Sequence, residues 1–155
     1  MSQEAPQSKH RNLPLLLLQA RAHVIAHFRP ILNANGITEQ QWRIVRILLD
    51  QDAMEPRQIG ELCGISSPSL AGVLSRMEQL DFITRKRVEH DQRRVHVMLT
   101  ARSRALASHM MPKIDATYQH IEALIGQEFS KRFYRTLDEL IETLGSDMPL
   151  PGDNG

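Results

Sequence analysis

The most constraining feature of this chain is Ser66-Ser67-Pro68 and what stands on either side of it. Serine followed by proline opens a helix: the hydroxyl serves unpaired amides of the first turn, and proline supplies a helical φ where its missing N–H is not needed. The pattern predicts a helix over 67–80, with Ser67 as cap and Pro68 as first helical residue. Leu70, Val73, Leu74 and Met77 follow at i, i+3, i+4 and i+7, so this helix buries one face. Ser69, Gly72, Ser75 and Arg76 occupy the opposite face, small and polar enough to let something large come close. Upstream, Pro56 starts a shorter helix in which Ile59, Leu62 and Cys63 share a face, and Gly64 stops it. Downstream the hydrophobic period changes. Phe82 to Val88 and Val95 to Leu99 read as strands, with Val95, Val97 and Leu99 alternating, joined by a charged tip over 89–94.

The flanks are helical. Asn12 and Pro14 open a long apolar helix that runs to about Leu32, where Pro30 is expected to bend or end it. Asn35-Gly36 supplies a turn, and Thr38 to Gln41 is a capping-box sequence for a second helix, Glu39 to Asp50. Thr100 caps another long helix, expected to be interrupted or kinked at Pro112. A last helix sets Phe133, Leu137, Leu140 and Leu144 at alternating spacings of four and three, a coiled-coil-like seam. The fold class is therefore mainly α with a small β-hairpin wing (α+β): a winged helix-turn-helix with N- and C-terminal dimerisation helices. Its expected parts are a disordered arm over 1–11, a winged region over 37–100, helical dimerisation segments over 12–36 and 101–147, and a flexible tail over 148–155.

Net charge is only +1, but its distribution is uneven. Between Glu4 and Glu39 there is no acidic residue, while 82–97 carries Arg85, Lys86, Arg87, Arg93 and Arg94 against Glu89 and Asp91. A basic middle suits one anion-facing surface. The single Cys63 excludes an internal disulfide and fits a reducing cytoplasm. No apolar run approaches the roughly 20 residues that span a bilayer. Walker loop, His-Glu-x-x-His, nucleophile elbow and dinucleotide fingerprint are all missing from the sequence, so no enzymatic activity and no cofactor are expected.

A recognition helix fits the major groove of double-stranded DNA and presents its N-terminal residues to base edges, while a basic hairpin tip reaches the adjacent minor groove. The candidate DNA-binding residues are Ser66, Ser67, Ser69, Gly72, Arg76, Arg85, Asp91, Arg93 and Arg94, with Asp91 expected to pair with Arg93 or Arg85 and shape the tip. A charged hairpin alone is more often a solvated turn; its place directly after a capped helix-turn-helix favours DNA. The rival class is a winged-helix module for protein contacts.

The stretch RMEQLDFITRKRVEHDQRRVHVMLT resembles the MarR family's Leu-Glu-x-x-Gly-hydrophobic-hydrophobic-x-Arg, Asp-x-Arg-Arg and Leu-Thr pattern. Arg76, Arg85, Asp91, Arg93, Arg94 and Thr100 fall on matching positions, and the likeness spans roughly residues 13–146. Asp81 departs from it, standing where the family usually has glycine; aspartate tolerates the left-handed conformation better than most residues, so the turn is expected to survive. LLQARAHVIAHFRPIL, TEQQWRIVRIL and the terminal PGDN resemble the branch that regulates homoprotocatechuate (3,4-dihydroxyphenylacetate) degradation operons. That resemblance implies repression of aromatic-acid catabolic genes, relieved by a 4-hydroxyphenylacetate-like effector. Activation, or control of another process such as an antibiotic or oxidant response, stays open at this point.

The seam at Phe133, Leu137, Leu140 and Leu144 could pack within the chain or against a second copy. The resemblance implies a homodimer, also using Leu15 and Leu18, on a pseudo-palindromic operator. A small aromatic carboxylate needs an apolar slot and cations. Trp42, Arg43 and Arg46 on the second helix, with Arg21, His23 and His27 on the first, are the candidate effector residues; the competing reading makes Trp42 core and the arginines salt-bridge partners. His23 and His27 have i, i+4 spacing, but no cysteine or carboxylate stands out beside them, so no metal site is expected. Cys63 is read as core.

Overall fold

Among the described residues, eight elements follow in the expected order: α1 (Leu13–Ala34), α2 (Glu39–Asp50), α3 (Pro56–Cys63), α4 (Ser67–Gln79), β1 (Ile83–Val88), β2 (Asp91–Leu99), α5 (Ala101–Ile125) and α6 (Gln127–Asp147). They are seen in a computed structural model that describes residues 5–148. The arm expected over 1–11 lies partly, and the tail over 148–155 with its PGDN almost wholly, outside the described residues. Residues 5–12 are exposed and belong to no helix or strand.

Local chemistry sets most boundaries. Asn12 Oδ1 accepts the Leu15 N–H at 3.1 Å, and Thr38 and Gln41 close a reciprocal capping box at 3.1 and 3.0 Å. Glu55 and Gln58 form the equivalent box for α3, which ends at Gly64 in the left-handed region, φ +62°. Asp81 has φ 59° and makes the turn out of α4 as expected. Thr100 caps α5 through the Ser103 N–H at 3.1 Å.

Several boundaries differ from the sequence reading. α4 starts one residue early: Ser66 is its cap position, and the Ser66 hydroxyl donates to Ser69 Oγ (3.1 Å) rather than to a first-turn amide. Neither proline ends its helix. α1 continues past Pro30 to Ala34, and α5 runs through Pro112. Each proline sits between two buried anchors, Phe28 and Leu32 or Met110 and Ile114, whose packing outweighs one lost backbone hydrogen bond. Leu62 is 65% exposed, because on this short helix only the i, i+4 pair Ile59 and Cys63 meets the core. β2 begins at Asp91, so the tip shrinks to Glu89-His90, and Phe82 is buried ahead of β1 rather than inside it.

The two strands pair antiparallel from Ile83↔Leu99 to Arg87↔Val95, with a bulge at Arg87/Val88. Met54 exchanges two backbone hydrogen bonds with Val97 (3.1 and 2.7 Å), pinning the hairpin base to the chain ahead of α3. Ile44 and Leu48 of α2, Ile59 of α3, Leu74 and Met77 of α4, Ile83, Val97, Met110 and Ile114 are fully buried in one core. Thr100 Oγ1 donates to the Asp81 carbonyl (2.6 Å) and Ser103 Oγ to the Phe82 carbonyl (2.7 Å). These bonds fasten the first turn of α5 to the turn that leaves α4.

The outer helices are different. Leu13, Leu15, Leu17, Leu18 and Val24 of α1 are exposed, as are Phe129, Phe133, Tyr134, Ile141 and Leu144 of α6. Leu137 and Leu140 are half-buried, so the seam on α6 is not covered by its own chain. Among the described residues, no helix is long and apolar enough to cross a membrane.

Candidate nucleic-acid interface and effector region

α4 buries Leu70, Leu74 and Met77 and leaves Ser66, Ser67, Ser69, Gly72, Ser75 and Arg76 exposed. A Cβ built on Gly72 would meet nothing within 4 Å, so this face is open to a close neighbour. A cleft of about 440 Å³ runs beside it, lined by Thr38, Gln40, Ser69, Gly72 and Arg76. On the other flank a groove of about 720 Å³ is lined by Arg57, Ile65, Ser66, Ser67, Leu70 and Arg85 among others. The β1 arginine and the start of α4 therefore border one groove.

The wing is shaped by internal polar contacts. Asp91 Oδ1 accepts the backbone N–H of Arg93 at 3.0 Å, so it fixes the tip through main chain and not through either expected guanidinium. Arg85 pairs with Glu78 of α4 (3.6 Å), Arg87 donates to the Gln92 carbonyl (2.9 Å), and Arg94 pairs with Glu55. Arg93 is exposed, and no ion pair is seen for it among the described residues.

The six candidate effector residues do not form one cluster. Arg21 and Arg43 converge on Glu39: Arg21 Nη2 lies 2.6 Å from Oε1, Arg43 Nη2 2.6 Å from Oε2, and Arg43 Nε 3.1 Å from Oε1. Burial would push the Glu39 carboxyl up, but hydrogen bonds and charge from Arg43 and Arg21 outweigh it and hold it below the usual carboxylate range. Arg43 Nη1 also donates to the Cys63 carbonyl oxygen. Arg46 turns the other way, toward Met111 Sδ of α5 at 3.7 Å. Trp42 is buried in the core. His27 Nδ1 sits 2.9 Å from the His23 carbonyl, and its ring lies 6.0 Å from that of His120. Cys63 is buried, and that burial pushes its thiol up to about 11, with Glu39 adding to the rise and Arg43 opposing it. A thiol of that kind is not an activated nucleophile.

Residues 37–95 match the MarR family profile. Over 147 residues the chain is 37% identical to the homoprotocatechuate degradative operon repressor of Escherichia coli, covering 94% of this chain and 99% of that protein. The chain belongs to the MarR family. It is thus a MarR-family transcriptional regulator. The crystal structure of another transcriptional regulator, 39% identical, superposes with a TM-score of 0.83 over 86% of this chain and 98% of that one. The structure of NadR in complex with 4-hydroxyphenylacetate is 36% identical, with a TM-score of 0.76 over 88% of this chain and 97% of that one.

In this MarR-family chain the acidic partners are what sequence reasoning missed. Glu39 beside Arg43 is an i, i+4 pair and was open to inspection. Arg21–Glu39, Glu78–Arg85 and Glu55–Arg94 depend on tertiary contacts, and spacing alone carries no signal for them. Tyr118 was missed too; its ring lies 4.9 Å from that of Phe28, adding an aromatic surface where α1 meets α5.

Proposed function

We propose that this regulator represses an aromatic-acid catabolic operon of the homoprotocatechuate type. As a homodimer it binds a pseudo-palindromic operator in double-stranded DNA, and a phenolic aromatic carboxylate releases it. It acts in the cytoplasm as a DNA reader and not as an enzyme, with 37–100 as the DNA-binding part and 12–36 with 101–147 as the dimerisation part.

The observation that carries this reading is the shared border of Arg85, Ser66 and Ser67, with the open face of α4 alongside. It supports α4 in the major groove with Ser66, Ser67, Ser69, Gly72 and Arg76 toward the bases or phosphates. Arg85 and Arg93, with Asp91 holding the tip, then serve the neighbouring backbone or minor groove; Arg94 joins them if DNA phosphate replaces Glu55. The likeness over nearly the full chain to a homoprotocatechuate operon repressor, and to a regulator solved with 4-hydroxyphenylacetate, supports the operon and effector class. For the effector, Arg46 offers a cation with no ion pair among the described residues, and Arg21 a second one if the ligand displaces Glu39. Arg43 stays engaged with Glu39 and the Cys63 carbonyl, Trp42 serves as an aromatic wall only if it is uncovered from the core, and His23 and His27 are polar groups on α1.

Calorimetric titration with 4-hydroxyphenylacetate tests the effector half. The wild type is expected to bind, and Arg46→Ala to bind at least tenfold more weakly, about one lost charge-assisted hydrogen bond. Equal affinity in the two proteins removes Arg46 from the site, and silence in the wild type removes this ligand.

A further inference from the structure

Glu39 joins three helices. Its carboxylate takes Arg21 of α1 and Arg43 of α2, each at 2.6 Å, and Arg43 spends its other end on the carbonyl of Cys63, the last residue of α3. A guanidinium serves two acceptors in different directions because its five donors lie in a rigid plane. The Cys63 carbonyl belongs to the final turn of α3, where helix carbonyls lack intrahelical partners. Three residues past Gly64, at Ser67, the chain enters α4. The position of Arg43 is thereby passed to the start of the helix proposed to read DNA.

We propose that Glu39 and Arg43 are positioning residues that form a latch between the effector region and α4. Without effector, ionised Glu39 aims Arg43 at the Cys63 carbonyl and sets the α3–α4 turn. An incoming aromatic carboxylate competes with Glu39 for Arg21, as a like charge beside a half-buried acid. Glu39 and Arg43 then shift, the Cys63 contact opens, and α4 loses its DNA-competent placement. By thermodynamic reciprocity, DNA that requires the closed latch weakens effector binding by the same factor. The release step rests on the effector reading above; the closed latch does not.

The two are separable by experiment. Glu39→Gln weakens the aim of Arg43. Arg43→Lys keeps an i, i+4 ion pair with Glu39 but, as one point of charge, cannot also reach Cys63. Fluorescence anisotropy on a duplex that the wild type selects from a random-sequence pool gives DNA affinity, with circular dichroism and thermal melting to show that each variant is folded. Both variants are expected to lose about tenfold in DNA affinity with no effector present. Added 4-hydroxyphenylacetate is expected to weaken DNA binding by the wild type far more than by either variant. Wild-type DNA affinity in folded Arg43→Lys without effector would overturn the latch. A wild type whose DNA binding ignores 4-hydroxyphenylacetate would instead overturn the effector reading, and the effector-free affinities of the variants would still decide the latch.

Discussion

Arg94 of β2 is ion-paired with Glu55, the residue that caps α3, although 39 positions separate them in the chain. The pair draws Arg94 back toward the body of the molecule. Arg93 precedes it on the opposite face of the strand, with its main-chain N–H held by Asp91 and its guanidinium exposed. Two adjacent arginines of one wing are thus in different electrostatic positions.

That difference predicts unequal losses on DNA. Each phosphate contact contributes about −0.9 to the slope of log affinity against log salt. Arg93→Ala is expected to flatten the slope by about 0.9, and Arg94→Ala by clearly less, because Glu55 already neutralises Arg94. Both side chains are exposed, so the thermal midpoint should move little in either. Anisotropy titrations across a salt series measure this, and equal changes in slope would show that Arg94 leaves Glu55 when DNA arrives.

What was legible in the sequence was what local chemistry decides. The Thr38–Gln41 box, the Gly64 stop, the Thr100 cap and the α4 stripe of Leu70, Leu74 and Met77 each depend on neighbours within four residues. Pro30 and Pro112 do not end their helices, because the local preference is overridden by buried anchors two residues to either side. Glu39 reaching Arg21, or Glu55 reaching Arg94, depends on how helices and wing come together, and periodicity contains no record of that. The apolar seam on α6 was legible as a seam but not as an uncovered one, because whether it packs within the chain depends on how α1, α5 and α6 come together.

Asp81 offers a test of backbone strain. Its φ of 59° costs an ordinary side chain about 1 kcal/mol, and glycine escapes that cost. Its carbonyl, which accepts from Thr100, is main chain and survives any substitution. Asp81→Gly is therefore expected to match or exceed the wild type in thermal midpoint, and Asp81→Ala to fall about 1 kcal/mol below Asp81→Gly. Denaturant unfolding measures the gap. An alanine variant as stable as the glycine variant would show that the turn relaxes out of the left-handed region.

Glu39 predicts a pH dependence. Despite burial, Arg43 and Arg21 hold its carboxyl below the usual carboxylate range, so the folded state binds the proton less tightly than the unfolded chain does. A depressed folded value contributes stability that is fully present above the unfolded value, about 4.3 for a free glutamate. It is lost as pH falls through the folded value. Urea unfolding of the wild type and Glu39→Gln should therefore differ most near neutral pH and converge in acid. A gap that stays constant down the pH series would mean that the arginines do not stabilise the ionised form.

The uncovered face of α1 and α6 predicts assembly. Leu18 is 62% and Leu144 55% exposed in the single chain, so replacing them removes little from its own core. Side chains of this size left in water over two helices exceed the scattered apolar residues of an ordinary surface. Light scattering of the wild type is expected to give the mass of two chains. Leu18→Glu combined with Leu144→Glu is expected to give one, with helical circular dichroism retained, because buried charge is far costlier in an interface than on an exposed helix. Operator affinity should fall much further than any single wing substitution lowers it, since two half-sites would then be bound independently rather than by linked readers. A charged double variant that remains dimeric would place the interface elsewhere on the molecule and detach the seam at Phe133, Leu137, Leu140 and Leu144 from assembly.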